Sequence, residues 1–123
     1  MSGNNIATAS IVNNTKYDLV VLNSGINSGH WNQTPTNVAA DATNSSAFVA
    51  QGTSGTATGT SGWAQYALRG TSPQVTAMLC FDDPYSSSNS TSGTTISSTA
   101  YTVTVSVPSS GSQVTFTYTI APA

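Results

Sequence analysis

The chain ends in two stretches of strictly alternating apolar and polar side chains, and this period of two is the pattern of a half-buried β-strand. Residues 101–107 alternate aromatic or β-branched side chains with Thr and Ser, and residues 114–120 repeat the pattern after a Pro-Ser-Ser-Gly-Ser turn. Two such runs joined by a short turn predict a β-hairpin with one buried face. The side chains expected to face inward are Tyr101, Val103, Val105, Val107, Val114, Phe116, Tyr118 and Ile120.

The rest of the chain is also typical of strands and turns. Thr, Val, Tyr and Ser dominate, and the strong helix formers are scarce. Upstream strands are expected at 6–12, 17–22, 47–51, 63–68 and 75–81, with the first two joined as a hairpin by a turn at 13–16. Several short strands with turn signals between them predict an all-β fold, a single antiparallel β-sandwich domain over residues 1–123.

Charged side chains are too few for most catalytic sites. The 123 residues include one Lys, one Arg, four Asp, no Glu, one His and one Cys. General acid-base pairs, triads and structural zinc sites need more titratable groups than this. We therefore expect no enzyme, no cofactor and no metal; the adjacent Asp82 and Asp83 alone make a weak calcium site. The formal net charge of -2 also disfavours nucleic acid as a partner.

Hydroxyl groups and aromatic rings are what the chain has in abundance, with twenty Ser, twenty Thr and ten aromatic residues. Such groups recognise ligands by hydrogen bonding and stacking, which favours a binding module. Trp31 lies in a polar segment without strand periodicity, so we expect a loop that displays its ring. Trp63 opens a strand and is equally compatible with the core and with the surface.

The N-terminal residues lack the basic start and the apolar stretch of a secretory signal. This predicts a chain that is cytoplasmic, released by an unconventional route, or already processed.

Three blocks of the sequence carry a resemblance to a known group of proteins. They are Ala-Phe-Val-Ala-Gln-Gly at 47–52, Thr-Gly-Thr-Ser-Gly-Trp-Ala-Gln-Tyr-Ala-Leu at 58–68, and Val-Thr-Ala-Met-Leu-Cys-Phe-Asp-Asp-Pro-Tyr at 75–85. Together they resemble the central region of actinoporins and aegerolysins, small β-sandwich proteins that recognise membrane lipids, chiefly sphingomyelin or related sphingolipids. The positions that match the actinoporin pattern in order and approximate spacing are Thr58, Gly59, Gly62, Tyr66, Pro84, Tyr85 and Asn89.

The resemblance implies a lipid-binding protein with a particular mode of action. Actinoporins insert an N-terminal amphipathic helix to form a pore, whereas this chain begins almost directly in a predicted strand. Aegerolysins also lack that helix and act with a separate pore-forming partner. The comparison therefore implies an aegerolysin-like protein that does not form pores by itself.

Three functions of different classes remain open. In a lipid-headgroup binder, Tyr85, Trp31 and Trp63 would enter the bilayer interface while residues 86–89 bond the headgroup. In a lectin, a function found in fungal proteins with the same sandwich, the aromatic rings would stack on sugars. A self-assembling structural protein, or a homo-oligomer, is the third. The predicted ligand-binding residues are Trp31, Trp63, Tyr66, Asp83, Pro84, Tyr85, Ser86 and Asn89.

Overall fold

A computed structural model describes residues 5–53 and 59–123 of the chain. Within these residues all regular structure is β-strand, and nine strands form two packed sheets. The first sheet has the order β3-β4-β1-β9-β8 and the second β2-β5-β6-β7. In chain order the strands are β1 (Ile6–Asn13), β2 (Leu19–Ser28), β3 (His30–Gln33), β4 (Ala42–Gln51), β5 (Thr60–Leu68), β6 (Val75–Asp83), β7 (Thr95–Ile96), β8 (Tyr101–Ser106) and β9 (Gln113–Pro122). The predicted all-β sandwich is confirmed.

The C-terminal hairpin is also confirmed. β8 and β9 pair antiparallel, with Val103 opposite Ile120 and Val105 opposite Tyr118. The inward side chains of β9 are fully buried, and those of β8 are half-buried and pack against the same core. β8 is less buried because it is an edge strand of its sheet.

The predicted hairpin of the first two strands is wrong. β1 pairs with β4 and with β9 in the first sheet, whereas β2 pairs with β5 in the second. The turn at 13–18 therefore carries the chain from one sheet to the other. The pairing of β1 with β9 is parallel, which makes it the exception in a fold whose other described pairs are antiparallel.

Aromatic rings fill the space between the sheets. Phe48 from the first sheet lies 5.5 Å from Phe81 of the second, and Phe81 lies 6.1 Å from Phe116, measured between ring centroids. The hydroxyl of Tyr118 donates a hydrogen bond across the core to the carbonyl of Cys80, at 2.6 Å. Offset and edge-to-face pairs of this kind stabilise a core beyond the apolar area that they bury.

The two ends of the sandwich carry different loops. We call one the Tyr85 end; it holds the end of β6, the loop at 84–90 and the turn at 107–112, which are joined by the hydrogen bond from Asn89 N to Ser109 O. We call the other the Tyr17 end; it holds the turn at 13–18, the β5–β6 connection at 69–74 and residues 97–101. Both ends are composed mainly of hydroxyl and amide side chains, but their charges and their hollows differ.

Candidate functional site

The Tyr85 end presents an aromatic ring on a short loop. Tyr85 follows Pro84 directly after β6 and is 45% exposed; among the large hydrophobic side chains described, it and Leu22 are the most exposed. The serines at 86–88 that follow are exposed as well. The loop therefore offers one amphipathic ring and a row of hydroxyl groups to solvent.

Two hollows lie on either side of this loop, and Pro84, Tyr85 and Ser86 line both. The larger, of about 450 Å³, is lined in addition by Asn5, Ser87, Ser88, Ser110, Gly111 and Ser112. The smaller, of about 300 Å³, is lined in addition by Ser28, Gly59, Thr60, Ser61 and Asp82. Tyr85 thus stands as a ridge between two hydroxyl-rich depressions. We call this arrangement the Tyr85 site.

A buried hydrogen-bond cluster holds the loop in place from below. The Asn5 side chain is 3% exposed, and its Nδ2 donates to Asp83 Oδ1 at 3.1 Å, to Asp83 O at 3.3 Å and to Pro84 O at 3.1 Å. Asn5 immediately precedes β1, so the cluster joins the two sheets at this end. The backbone that carries Tyr85 is thereby fixed to the first sheet.

Gly59 permits this close packing. A Cβ atom at this position would lie 2.6 Å from Pro84 Cα and would overlap the Asp83 carbonyl oxygen. Any side chain at residue 59 would therefore displace the start of the Tyr85 loop. Thr58, the neighbouring residue of the predicted motif, lies outside the described residues.

The carboxyl group of Asp83 is fully buried, and its Oδ2 has no hydrogen-bond partner. Burial raises the pKa of Asp83 to about 6; the Asn5 hydrogen bond opposes this rise, and the neighbouring Asp82 charge adds to it. We predicted Asp83 as a ligand-binding residue, and its burial corrects that expectation. Its side chain lies beneath the loop and supports it.

The raised pKa predicts a stability that depends on pH. In the unfolded chain Asp83 loses its proton near pH 4, but the folded protein keeps that proton up to about pH 6. The folded state binds more protons in this window, so the free energy of unfolding falls as the pH rises from about 4 to about 6, by roughly 1–3 kcal/mol, and stays low above it. Chemical unfolding across this range should show the fall in the parent protein and a flatter profile in Asp83→Asn.

Asp82→Asn is the matched control, because Asp82 is the adjacent carboxylate but is exposed; desolvation raises the pKa of Asp82 as well, so this variant reports how much of the pH dependence Asp82 supplies. This variant should keep most of the pH dependence. A profile that is equally steep in Asp83→Asn and in the parent would show that Asp83 is not the titrating group.

Trp31 does not lie in a loop, as its polar surroundings suggested, but on strand β3. Its ring packs edge-on against Phe48 at 5.6 Å and contacts Phe81 at 5.8 Å, again between centroids. The side chain is half-buried at the side of the core. The polar residues around Trp31 predicted a loop because β3 is an edge strand of only four residues. Its other side chains are polar and face outward or bond to neighbouring residues, so the strand has no apolar alternation.

Two further predicted residues are not at the Tyr85 site. Tyr66 is fully buried in the core, and its hydroxyl donates to Thr36 O at 3.0 Å, so no ligand reaches it in this conformation. Trp63 lies on the outer face of the second sheet, and its indole ring packs on Gly25. A Cβ atom at residue 25 would lie only 2.7 Å from the indole Nε1, so the ring can pack there only over a glycine. Alternation along β5 places these two aromatics on opposite faces.

Asn89 has a structural position at the rim of the site. Its Nδ2 donates to Pro108 O at 2.9 Å, and its Oδ1 is buried without a partner. It therefore ties the loop at 84–90 to the turn at 107–112. Of the predicted site residues, Pro84, Tyr85 and Ser86 come together at an accessible surface, with Asp83 beneath them and Asn89 beside them.

Sequence reasoning missed Asn5, Gly59 as a support, and the serines at 110 and 112. These residues are far apart in the chain, and no local motif links them to residues 83–86. Pairing of β5 with β6 and of β1 with β9 brings them to one end. The resemblance in the sequence included Gly59 as a matching position but gave no reason why a glycine is needed there.

The charges of the molecule are divided between its ends. The chain's two cations, Lys16 and Arg69, both lie at the Tyr17 end, with Asp18 and Asp41. The Tyr85 end therefore has no Lys or Arg and carries Asp82, the buried Asp83 and the exposed His30. Within the described ranges no group of three or more His, Cys, Asp or Glu side chains could hold a metal ion.

The chain was compared with protein families and with solved structures, and both comparisons find similar proteins. The family model described as Aegerolysin matches residues 5–122. Among solved structures, the lipid binding protein Nakanori superposes with a TM-score of 0.73 at 11% identity, over 95% of this chain and 71% of that one. At this identity the superposition shows a shared fold. A search of curated proteins finds no match. The described residues include no helix long and apolar enough to cross a membrane.

Proposed function

The chain belongs to the aegerolysin family, and from this premise we propose that it is a non-catalytic protein that binds membrane lipid headgroups at the Tyr85 site. The resemblance seen in the sequence implies lipid recognition, and a protein of the same fold carries the description lipid binding protein. The observation that carries the proposal is the exposed Tyr85 ring between two hydroxyl-lined hollows, at the end of the sandwich that has no Lys or Arg.

A tyrosine on a rigid loop suits the interface of a bilayer. Its ring is apolar enough to leave water, while its hydroxyl stays among the headgroups. Asn5 and Gly59 hold the loop backbone, so little conformational entropy is lost when the ring inserts. The surrounding serines have no charge whose desolvation would oppose insertion.

The charge of the Tyr85 end favours a zwitterionic headgroup over an anionic one. Without Lys or Arg the site has no electrostatic attraction for anionic lipids. The ammonium group of a choline or ethanolamine headgroup can instead lie over the Tyr85 ring or near the Asp82 carboxylate. The serine hydroxyls at 86–88 can donate to the phosphate oxygens. A sphingolipid with such a headgroup meets these requirements and agrees with the family's preference.

We also propose that lipid binding and pore formation are carried out by two different proteins. As in other aegerolysins, lipid recognition by this chain would precede pore formation by a separate protein. We therefore expect the purified chain to bind vesicles without releasing an encapsulated dye.

Cosedimentation with vesicles tests the proposed function directly. We expect the protein to sediment with vesicles of sphingomyelin and cholesterol, and to do so less with vesicles rich in phosphatidylglycerol. Vesicles of phosphatidylcholine carry the same choline headgroup, so weaker binding to them would show that the sphingolipid backbone or the cholesterol adds to recognition. Because no cation contributes, binding should change little between about 0.05 M and about 0.5 M salt. Binding only to the anionic vesicles, with loss at high salt, would contradict the proposal.

Tyr85→Ala should weaken binding to the sphingomyelin vesicles by about 1–3 kcal/mol, the value of one large apolar side chain withdrawn from water. Thermal stability should change little, because Tyr85 is nearly half exposed and is not among the residues packed against the core. Tyr85→Trp, which keeps an interfacial aromatic, should retain binding.

Leu22→Ala provides the control for nonspecific loss of apolar surface. Leu22 is exposed to the same degree, at 47%, but lies on β2, away from the Tyr85 loop. It should leave vesicle binding unchanged. If Tyr85→Ala bound as the parent does while Leu22→Ala did not, the membrane would contact the edge of the second sheet and not the Tyr85 site.

A further inference from the structure

The Tyr17 end holds a second pair of hollows that lipid binding at the opposite end does not use. One of about 560 Å³ and one of about 470 Å³ share Tyr17, Ala100 and Tyr101 as a common wall. Each volume is within the range of small-molecule sites. The first is lined in addition by residues 71–75 and 97–99, and the second by residues 14–16, Asp41 and Pro122. We call the two together the Tyr17 groove.

The two tyrosines of the groove have unused hydrogen-bonding capacity. The core tyrosines Tyr66 and Tyr118 both donate their hydroxyl hydrogens to backbone carbonyls. The hydroxyls of Tyr17 and Tyr101 have no such partner among the described residues, although both side chains are half-buried. Half-buried tyrosines with free hydroxyls offer a ligand an apolar surface and a polar contact together.

The turn that carries Tyr17 is held by a buried polar network. Asn13 is fully buried, and its Nδ2 donates to Tyr17 O at 2.8 Å and to Ala39 O at 3.1 Å. Its Oδ1 accepts from the backbone N and from the Oγ1 of Thr15, at 3.0 and 2.8 Å, and Thr15 is 2% exposed. Buried polar groups are tolerated when they are satisfied in this way, and such a network fixes one geometry. The position of Tyr17 is therefore set before any ligand arrives.

Gly70 and Lys16 are neighbours of the Tyr17 ring. The φ of Gly70, +100°, suits glycine, and a Cβ atom there would already touch the ring at 3.6 Å. The Lys16 ammonium lies 5.5 Å from the centroid of the same ring. Because the Lys16 ammonium lies near the Tyr17 ring, we take Tyr101, which lines both hollows, as the ring for stacking.

The lining matches the chemistry of a sugar. A pyranose ring has an apolar face of C–H groups that packs on an aromatic ring, and hydroxyls around its edge that both donate and accept hydrogen bonds. The groove surrounds its tyrosines with Ser, Thr, Asn and Gln side chains, which also donate and accept. Lys16 and Asp41 contribute one charge of each sign, so the groove favours a ligand without net charge.

We propose that the Tyr17 groove binds a neutral oligosaccharide, with one sugar unit in each hollow and the Tyr101 ring between them. The groove lies at the end of the sandwich opposite the Tyr85 site, so a protein bound to a bilayer through Tyr85 would present the groove to the solution. Sugar binding there does not depend on the proposed lipid function.

Nuclear magnetic resonance titration of the ¹⁵N-labelled protein tests this proposal. A panel of free neutral oligosaccharides that contain glucose, galactose, mannose or N-acetylglucosamine is added in turn. We expect at least one of them to shift the amide signals of Tyr17, Ser98, Ala100 and Tyr101 and to leave those of residues 84–88 in place. No shift with any member of the panel, or shifts confined to the Tyr85 end, would overturn the proposal.

Variants then separate the two ends of the molecule. Tyr101→Ala should weaken binding of the active sugar by roughly tenfold and leave vesicle binding intact, whereas Tyr85→Ala should do the reverse. Because Tyr101 also packs on the core, Gln74→Ala is the second groove variant; Gln74 is exposed, so its loss leaves the fold intact. Sugar affinity unchanged in both groove variants would refute the site.

The source of the sugar is distinguished by presenting it in two forms. The active oligosaccharide is compared as a free molecule and as the headgroup of a glycolipid in phosphatidylcholine vesicles. The signal of interest is the increase in vesicle binding that the glycolipid adds over phosphatidylcholine alone, because the Tyr85 site can bind the choline headgroups. The Tyr101→Ala variant should lose this increase together with binding of the free sugar. Retention of the increase would assign glycolipid binding to another part of the molecule and contradict the proposal.

Discussion

Phe116→Ala is expected to lower the free energy of unfolding by about 3–5 kcal/mol, the typical cost of removing a phenylalanine from a closely packed core. The Phe116 side chain is fully buried and lies between Phe81 of the second sheet, at 6.1 Å, and Tyr118, at 6.5 Å. Alanine there leaves a cavity at the interface of the two sheets. The sheets cannot close over it, because their strands are held in register by the ladders on either side.

Thr115→Ala is the matched control in the same strand. Thr115 precedes Phe116 and is exposed, and its removal should change stability by less than about 0.5 kcal/mol. Denaturant unfolding of both variants at one pH provides the comparison. Similar midpoints for the two would mean that the inward and outward faces of β9 have been assigned the wrong way round.

Trp31→Ala has the second largest expected effect, and it acts first on stability. Because the ring contacts Phe48 and Phe81 but stays partly exposed, the loss should be about 2–4 kcal/mol, somewhat below that of a fully buried aromatic. The sequence had suggested a displayed ring whose removal leaves the fold unchanged. The structure corrects this expectation, since β3 ends its sheet and Trp31 covers the side of the core.

Trp31→Phe separates packing from any contact with lipid. Phenylalanine keeps a ring against Phe48, so most of the stability should return. If sphingomyelin binding then stays weak while the melting temperature recovers, the indole contacts the lipid. If Trp31→Ala melts at the parent temperature, Trp31 does not pack on the core as described.

Some parts of the fold were predictable because they depend on short-range pattern. Alternation in 101–107 and 114–120 specifies which side chains point inward, whatever else the chain does. The strands β5 and β6 were also predicted near their true positions, although each extends by two or three residues beyond the apolar run. These extensions are decisive for the site, because Thr60 and Asp83 pair at the end of the second sheet and bring Gly59 beneath Pro84.

The same patterns do not predict which strands pair with one another in the sheets. A turn at 13–16 between two apolar runs is compatible both with a hairpin and with a crossover between sheets. The structure contains the crossover: β1 pairs with β4 on one side and, in parallel, with β9 on the other, and its inward side chains are buried between the two sheets. Local turn chemistry is the same in both cases, and the choice depends on burial summed over strands that are a hundred residues apart.

At the two ends of the molecule, too, some features follow from the sequence and others only from the tertiary structure. Composition by itself determined an all-β chain with few charges, rich in hydroxyls and aromatic rings, and therefore suited to binding more than to catalysis. The resemblance in the sequence, and not composition, pointed to Pro84 and Tyr85 as ligand-binding residues. Tertiary structure alone decided that Tyr66 is buried, that Asp83 lies beneath the loop, and that Tyr17 and Tyr101 share a groove. The physical reason is that a strand's period assigns a side chain to one of two faces, but whether that face meets a core, a neighbouring loop or water depends on distant segments.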